Sequence, residues 1–139
     1  MKTLVIYYSY SGITRAAAQE VAVQENADIV EIKDAKRPNV MKALTVGCFA
    51  AMRCKPWPVE PLDADWGAYD RFILMAPVWA GHPAPAFNAV FPMLPEGKAV
   101  SIQLLSDSGK SACRAKLEAA VAARGCTLED FTDIKTKKG

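Results

Sequence analysis

Short apolar runs recur along the chain and are separated by polar segments with helical spacing. The first run, Leu4 to Tyr8, and the third, Phe72 to Met75, have no polar face, which is typical of strands buried in a parallel sheet. The second run carries Asp28, Glu31 and Lys33 and suits an exposed edge strand. The pattern predicts strands at residues 3–8, 28–33, 71–76, 98–105 and 127–134.

Helices are predicted between these strands, where apolar positions recur every three or four residues. After the first strand, such a stripe is formed by Ile13, Ala17 and Val21. Another helix is expected to start near Pro83 and Pro85 and to stop at Pro92, because proline suits only the first helical turn. A further helix is predicted over 40–53, with the candidate core residues Val40, Leu44 and Ala51. The last helix is predicted over 110–124, with the candidate core residues Cys113, Leu117, Ala120 and Val121.

Strands and helices therefore alternate along the chain, which predicts an α/β fold built on a parallel sheet. Right-handed crossovers give a doubly wound five-stranded parallel sheet in the order 2-1-3-4-5. The proline-punctuated residues 55–62 are expected to form an extended connection rather than a linker between domains. We therefore expect residues 1–139 to form a single domain.

The pattern lacks a final helix after the last strand, so one face of the sheet is expected to be incompletely covered. In the fourth strand, Val100, Ile102 and Leu104 alternate with Ser101 and Gln103, which predicts one buried and one wetter face. The third strand has no polar face, so part of its apolar surface should remain exposed. Such a surface predicts a homodimer through the open face, or a C-terminal segment beyond residue 139.

Composition and charge narrow the class of protein. The chain is 51% hydrophobic and 23% charged, which is ordinary for a globular domain. Its net charge of +2 does not indicate a nucleic-acid partner, and the basic run at 135–138 is interpreted as a solvated tail. The longest stretch without acidic or basic residues, 72–95, is interrupted by five prolines, which excludes a membrane helix. No targeting segment is visible, so a cytoplasmic location is expected.

The four cysteines, Cys48, Cys54, Cys113 and Cys126, show no CxxC spacing, and the chain has one histidine. No metal site is therefore predicted, and the cysteines are expected to be reduced thiols.

The turn directly after the first strand has two interpretations, a phosphate-binding turn or a capped turn between strand and helix that binds nothing. Backbone N–H groups at the start of a helix face an anion, and the helix dipole favours negative charge there. A glycine allows close approach of the backbone, and hydroxyl side chains donate to phosphate oxygens. The residues of this turn are Ser9, Tyr10, Ser11, Gly12, Ile13 and Thr14. Arg15 follows them and is expected to point to solvent.

A second informative loop follows the third strand and presents an indole on a backbone stiffened by proline and glycine. Its residues are Pro77, Val78, Trp79, Ala80, Gly81 and His82. Together the two loops resemble those of the flavodoxin family, and in particular a branch of small flavodoxin-like proteins. The resemblance implies that the first loop holds the phosphate of FMN and that Trp79 stacks on the flavin ring. It also implies that the loop after the fourth strand forms a third wall of the site, with Ser106, Asp107, Ser108 and Gly109.

Several residues keep two interpretations. His82 could contact the flavin edge or have no role, and Trp57 and Trp66 could be packing residues, or one of them could cover the other flavin face. The residues Gly109-Lys110-Ser111 end like a P-loop, but Leu104 stands where that motif needs glycine.

The resemblance implies an FMN-binding electron carrier that meets redox partner proteins, with no catalytic side chain of its own. One alternative is an FMN-dependent NAD(P)H:acceptor (quinone) oxidoreductase. The other is a flavodoxin-like binding module without a cofactor.

Overall fold

The computed structural model describes residues 2–136 and contains a central parallel sheet. Its parallel strands are β1 (Thr3–Tyr8), β2 (Asp28–Ile32), β3 (Arg71–Trp79), β5 (Ala99–Ser106) and β6 (Thr127–Lys135). A short strand β4 (His82–Pro83) pairs antiparallel with the end of β3. The sheet order is β2-β1-β3-β5-β6, which confirms the predicted order 2-1-3-4-5 of the parallel strands.

The helices lie between these strands as predicted, with differences in type and length. The α-helices are α1 (Ile13–Gln24), α2 (Val40–Lys42), α3 (Cys48–Met52) and α4 (Arg114–Ala123). A π-helical turn, Ala43–Gly47, joins α2 to α3, and 3₁₀ helices span Trp66–Ala68 and Pro85–Met93. The last is 3₁₀ rather than α, consistent with prolines at both of its ends. Within residues 2–136, no helix combines the length and hydropathy needed to cross a membrane.

The larger core lies between the sheet and the helices that follow β3 and β5. Leu74 of β3 is buried there with Phe87 and Val90 of the 3₁₀ helix. Leu117 and Val121 of α4 cover the same face, as the helical spacing predicted.

Helix α1 covers the opposite face of the sheet through small residues. Its buried positions are Thr14, Ala18 and Ala22, one residue later than the predicted stripe. The predicted residues Ile13, Ala17 and Val21 are only half-buried. Alanine side chains allow a helix to pack closely on a sheet, so the bulkier Ile13 and Val21 lie beside the contact rather than in it.

The predicted exposed surface on β3 is wrong, because Ile73 and Met75 are buried with the residues of α1. Arg71, on the same face, forms ion pairs with Glu25 at 3.2 Å and with Glu129 of β6 at 3.0 Å. The guanidinium thus links the end of α1 to the sheet edge.

The adjoining strand β5 also departs from the prediction, because Ser101 is buried and only Gln103 is half-buried. No helix follows β6 in the described part of the chain. Residues 137–138 of the basic run lie outside the described residues. A homodimer through this face stays a prediction, but the exposed apolar surface on β3 that suggested the dimer is not present.

The predicted helix over 40–53 is confirmed as the helical segment 40–52, which comprises α2, the π turn and α3, and its predicted core residue Ala51 is buried. Its other buried positions differ from the prediction. Ala43, Gly47 and Ala51 face inward and are buried. Val40 and Leu44, which were predicted to lie in the core, are 63% and 67% exposed. The inward face of this segment is built of small residues because it packs against large aromatic rings.

We predict that Met75→Ala lowers the free energy of unfolding by about 2–5 kcal/mol, because it leaves a cavity between β3 and α1. Val23→Ala is the control, because Val23 lies on α1 and its side chain is 82% exposed. This variant should change the free energy of unfolding by less than about 0.5 kcal/mol. Urea unfolding measures both values. Equal values for the two variants would contradict the burial of Met75.

Candidate functional site

The turn between β1 and α1 has the geometry of an anion site. Gly12 has a φ of +101°, and its N–H donates to Ser9 Oγ at 3.0 Å. The N–H of Ala16 donates to the Gly12 carbonyl at 3.1 Å. The amides of the first helical turn that precede Ala16 have no intrahelical acceptor and are available to a ligand.

The charged side chain that follows this turn, Arg15, is committed elsewhere. Arg15 forms an ion pair with Glu31 at 2.6 Å, and this hydrogen bond raises the pKa of the guanidinium. Thr14 is buried, whereas Ser11 is exposed. An anion at the turn would therefore be held mainly by backbone amides and hydroxyl groups.

Trp79 belongs to a tight hairpin rather than to a loop. Strand β3 continues through Pro77 and Val78 to Trp79, and Trp79 pairs with His82 of β4. Ala80 and Gly81 form the turn with φ values of +52° and +79°. Two consecutive positive φ values are typical of the type I′ turns that close hairpins. The hairpin therefore fixes the position of the indole.

Three aromatic rings surround Trp79, and all three meet it edge to face. The centroid of its ring lies 5.6 Å from that of Tyr10, 6.3 Å from Tyr8 and 6.5 Å from Trp57. Tyr10 belongs to the turn after β1, so the two motifs found in the sequence are in direct contact. This contact joins the anion site to the aromatic cluster.

Asp34 forms hydrogen bonds with two members of this aromatic cluster. Its two carboxylate oxygens accept hydrogen bonds from the Tyr8 hydroxyl at 2.7 Å and from the Trp57 indole at 3.0 Å. Burial, and next the hydrogen bond to Asp34, raise the pKa of Tyr8 well above its ordinary value. Trp57 is thus part of the cluster. Trp66 is instead a packing residue, whose ring centroid lies 5.8 Å from that of Phe72.

Tyr10 is fixed separately by the segment after β2. Its hydroxyl donates to the Pro38 carbonyl at 2.8 Å. The Arg37 guanidinium lies 4.3 Å from the centre of the Tyr10 ring and also donates to the Tyr10 carbonyl at 2.8 Å.

An apolar cavity of about 280 Å³ opens beside Trp79. Its lining comes from the turn after β1, the segment 40–52 and the hairpin, with Tyr10, Val40, Ala43, Leu44, Cys48, Val78, Trp79 and Ala80. A larger polar cavity of about 580 Å³, which Ser9 and Ser11 help to line, lies toward the end of β2 among charged side chains. A flat aromatic ligand fits the smaller cavity better, because its walls are aromatic and aliphatic.

Gly47 is a site residue that sequence analysis missed. A Cβ atom at this position would lie 2.8 Å from Cζ3 of Trp79 and 3.5 Å from the Trp57 ring. Only glycine allows the π turn to approach the indole so closely. The spacing of small residues at 43, 47 and 51 was the signal that could have revealed it.

His82 is buried under the hairpin and links three elements. Its Nδ1 lies 3.0 Å from the Ala80 carbonyl, and its Nε2 lies 3.3 Å from Nζ of Lys116 on α4. Lys116 also donates to the Met52 carbonyl at 3.1 Å. An ammonium donor at Nε2 leaves the ring proton on Nδ1, which then donates to Ala80. His82 therefore has a structural partner on each side.

The loop after β5 reaches the hairpin from the other side. The Ala112 N–H donates to the Gly81 carbonyl at 2.7 Å. Ser106 Oγ accepts the N–H of Gly109 at 3.0 Å and lies 3.4 Å from Ser108 Oγ. Neither of the two cavities described above is lined by residues of this loop, which are Ser106, Asp107, Ser108 and Gly109. Their role as a third wall stays a prediction.

Residues 2–136 contain no group of three or more His, Cys, Asp or Glu side chains placed to hold a metal ion. The four cysteines are free thiols, and burial raises the pKa of Cys54 and of Cys113.

No protein-family model and no curated protein matches the chain. Solved structures do. A flavoprotein from Lactobacillus acidophilus, crystallised in complex with FMN, matches with a TM-score of 0.77 and 22% identity over 94% of this chain and 91% of that one. A putative flavoprotein from Bacteroides eggerthii matches with a TM-score of 0.78 and 19% identity, over 94% and 86%. A flavodoxin from Streptococcus pneumoniae TIGR4 matches with a TM-score of 0.57 and 15% identity, over 98% and 87%. The chain therefore has the flavodoxin-like fold.

We predict that Gly47→Ala destabilises the protein by about 1–3 kcal/mol and shifts the tryptophan emission, because the methyl group must displace the Trp79 ring. Gly67→Ala is the matched control, since nothing lies within 4 Å of the added Cβ there. Thermal unfolding and fluorescence measure the two effects. If the variants behave alike, the close contact between Gly47 and Trp79 does not exist.

Proposed function

We propose that this chain binds FMN and carries electrons between redox partner proteins. The observation that carries the proposal is the 5.6 Å contact between Tyr10 and Trp79. Through Tyr10, the turn that leads into α1 reaches an apolar cavity with an aromatic wall. FMN combines the two matching features, a phosphate group and a flat ring system.

The phosphate would be held at the turn after β1. The first-turn amides of α1 and the hydroxyls of Ser9, Ser11 and Thr14 are the donors in reach of this turn. Because Arg15 is paired with Glu31, phosphate binding would depend on neutral donors and the helix dipole.

The ring would occupy the cavity beside Trp79. The indole gives a stacking surface, and the backbone of the hairpin from Val78 to Gly81 offers hydrogen-bonding groups to the polar edge of the ring. Val40 and Leu44, which are exposed and line this cavity, would shield the ring from water. When bound, FMN supplies the electron-transfer chemistry, and the chain positions it and controls its surroundings.

The fold of the Lactobacillus flavoprotein, which was crystallised with FMN, supports this proposal. The proposal includes a cytoplasmic location, because four free thiols are typical of a reducing compartment.

Calorimetry with FMN and with riboflavin tests the proposal. We expect FMN to bind and riboflavin, which lacks the phosphate, to bind at least about tenfold more weakly. The FMN-loaded protein, once photoreduced, should pass electrons to an added one-electron acceptor. Absence of FMN binding would refute the proposal, and rapid bleaching of the flavin by NAD(P)H alone would favour the reductase alternative.

We predict that Gly12→Ala weakens FMN binding at least about tenfold, because the methyl group and a relaxed φ both disturb the turn around the phosphate. Gly97→Ala is the control, since Gly97 also has a positive φ of +75° with no atom near the added Cβ. Both variants should lose about 1–2 kcal/mol of stability from backbone strain. Calorimetry and thermal unfolding separate the two effects, and equal FMN affinities would show that the phosphate lies elsewhere.

Trp79→Ala is predicted to weaken FMN binding by about 1–3 kcal/mol, or roughly fivefold to 150-fold, through the loss of stacking. It should also shift the flavin reduction potentials, because oxidised and reduced rings stack differently. Trp66→Ala removes an indole that packs on Phe72 and should leave FMN affinity unchanged. Equal affinities for the two variants would exclude Trp79 as the stacking residue.

A further inference from the structure

The segment 40–52 carries an exposed apolar patch that lies outside the cavity beside Trp79. Its members are Met41, Val46, Phe49 and Met52, which are 71%, 55%, 64% and 48% exposed. None of the four lines the cavity beside Trp79, whereas Val40 and Leu44 do. A ligand in that cavity therefore leaves this outer patch uncovered. Exposed apolar patches of this kind mark interaction sites.

The chain segment that carries the outer patch has charges of a single sign. Residues 35–56 carry five of the 17 basic residues of the chain and none of its 15 acidic residues. All five side chains are exposed, and none of them forms an ion pair within residues 2–136. They are Lys36, Arg37, Lys42, Arg53 and Lys55. Arg15, Arg71 and Arg114, elsewhere in the fold, do have carboxylate partners.

We propose that the outer patch and its five cations form the docking surface for an acidic redox partner protein. The partner would present an apolar spot surrounded by carboxylates. This inference rests on the proposed function, because the segment 40–52 that carries the outer patch also lines the cavity assigned to the flavin ring, through Val40 and Leu44. A partner docked here would sit next to the cofactor.

The composition of the patch favours a protein rather than a membrane surface. Methionine, aromatic residues and arginine are enriched in the cores of protein interfaces, and methionine adapts to the shape of a partner. The exposed Lys42 and Thr45 interrupt the apolar surface. An interfacial membrane helix instead inserts a continuous apolar face, with its charges on the opposite side.

Stopped-flow kinetics with two defined proteins test the charge complementarity. A reduced plant-type [2Fe–2S] ferredoxin is the acidic donor, and each transfer oxidises its cluster by one electron and reduces the bound FMN by one electron. Oxidised cytochrome c is the basic acceptor, and it takes one electron from flavin that has been photoreduced with EDTA as the sacrificial electron donor. Between about 50 and 500 mM NaCl, the ferredoxin rate should fall at least about tenfold, and the cytochrome c rate should not fall.

Charge-reversal variants locate the surface. The double variant Arg53→Glu/Lys55→Glu should slow the ferredoxin reaction at least about tenfold at low salt. The control Lys2→Glu/Lys98→Glu makes the same charge change at the amino ends of the strands and should stay within about twofold. Phe49→Ser should also slow the reaction, whereas Val23→Ser on α1 should not.

Calorimetry on every variant keeps the two proposals distinguishable, because loss of FMN binding by the unmodified chain refutes the proposed function itself. If FMN binds and the ferredoxin rate responds to neither salt nor these variants, the docking surface is wrong. Flotation with phosphatidylserine vesicles that is lost in Phe49→Ser would overturn it in favour of a membrane. A dimer in sedimentation that Phe49→Ser dissociates would overturn it in favour of a second copy of the chain.

Discussion

The position of β1 in the middle of the sheet is the constraint on which the rest of the site depends. β1 is hydrogen-bonded to β2 on one side and to β3 on the other, and all six of its residues are buried. Its carboxyl end is therefore fixed relative to both neighbours. Because parallel strands end at the same edge, the turn after β1 must lie beside the hairpin that ends β3. Tyr10 and Trp79 meet as a direct consequence.

The aromatic cluster at this edge is rigid because its polar atoms are satisfied. Two donors, from Tyr8 and Trp57, share the carboxylate of Asp34, so neither is left unpaired beneath Trp79. An unpaired buried donor costs about 1–3 kcal/mol, so the cluster resists rearrangement. A ring site with fixed walls loses little conformational entropy when a ligand binds.

The strands, the two motifs and the helical character of the segment 40–52 could be predicted from the sequence, whereas most of the buried positions of that segment could not. Strands such as β1 and β3 consist of apolar residues that pack on both faces, so hydropathy alone identifies them. The turn at Gly12 could be predicted because its positive φ favours glycine, which the sequence shows directly. In the segment 40–52, however, the buried positions are alanine and glycine, and the larger apolar residues face outward. Hydropathy therefore selected Val40 and Leu44 as core residues, although they line the cavity.

The network around His82 connects the hairpin beside the Trp79 cavity to the outer patch. Lys116 donates to His82 inside the hairpin and to the carbonyl of Met52, which is a member of the outer patch. His82 in turn contacts the Ala80 carbonyl at the tip of the hairpin that presents Trp79. A displacement of α3 would change the position of the Lys116 ammonium and, through it, the hydrogen bonds of the hairpin. Lys116 thus contacts both the hairpin that walls the cavity beside Trp79 and the surface around Met52.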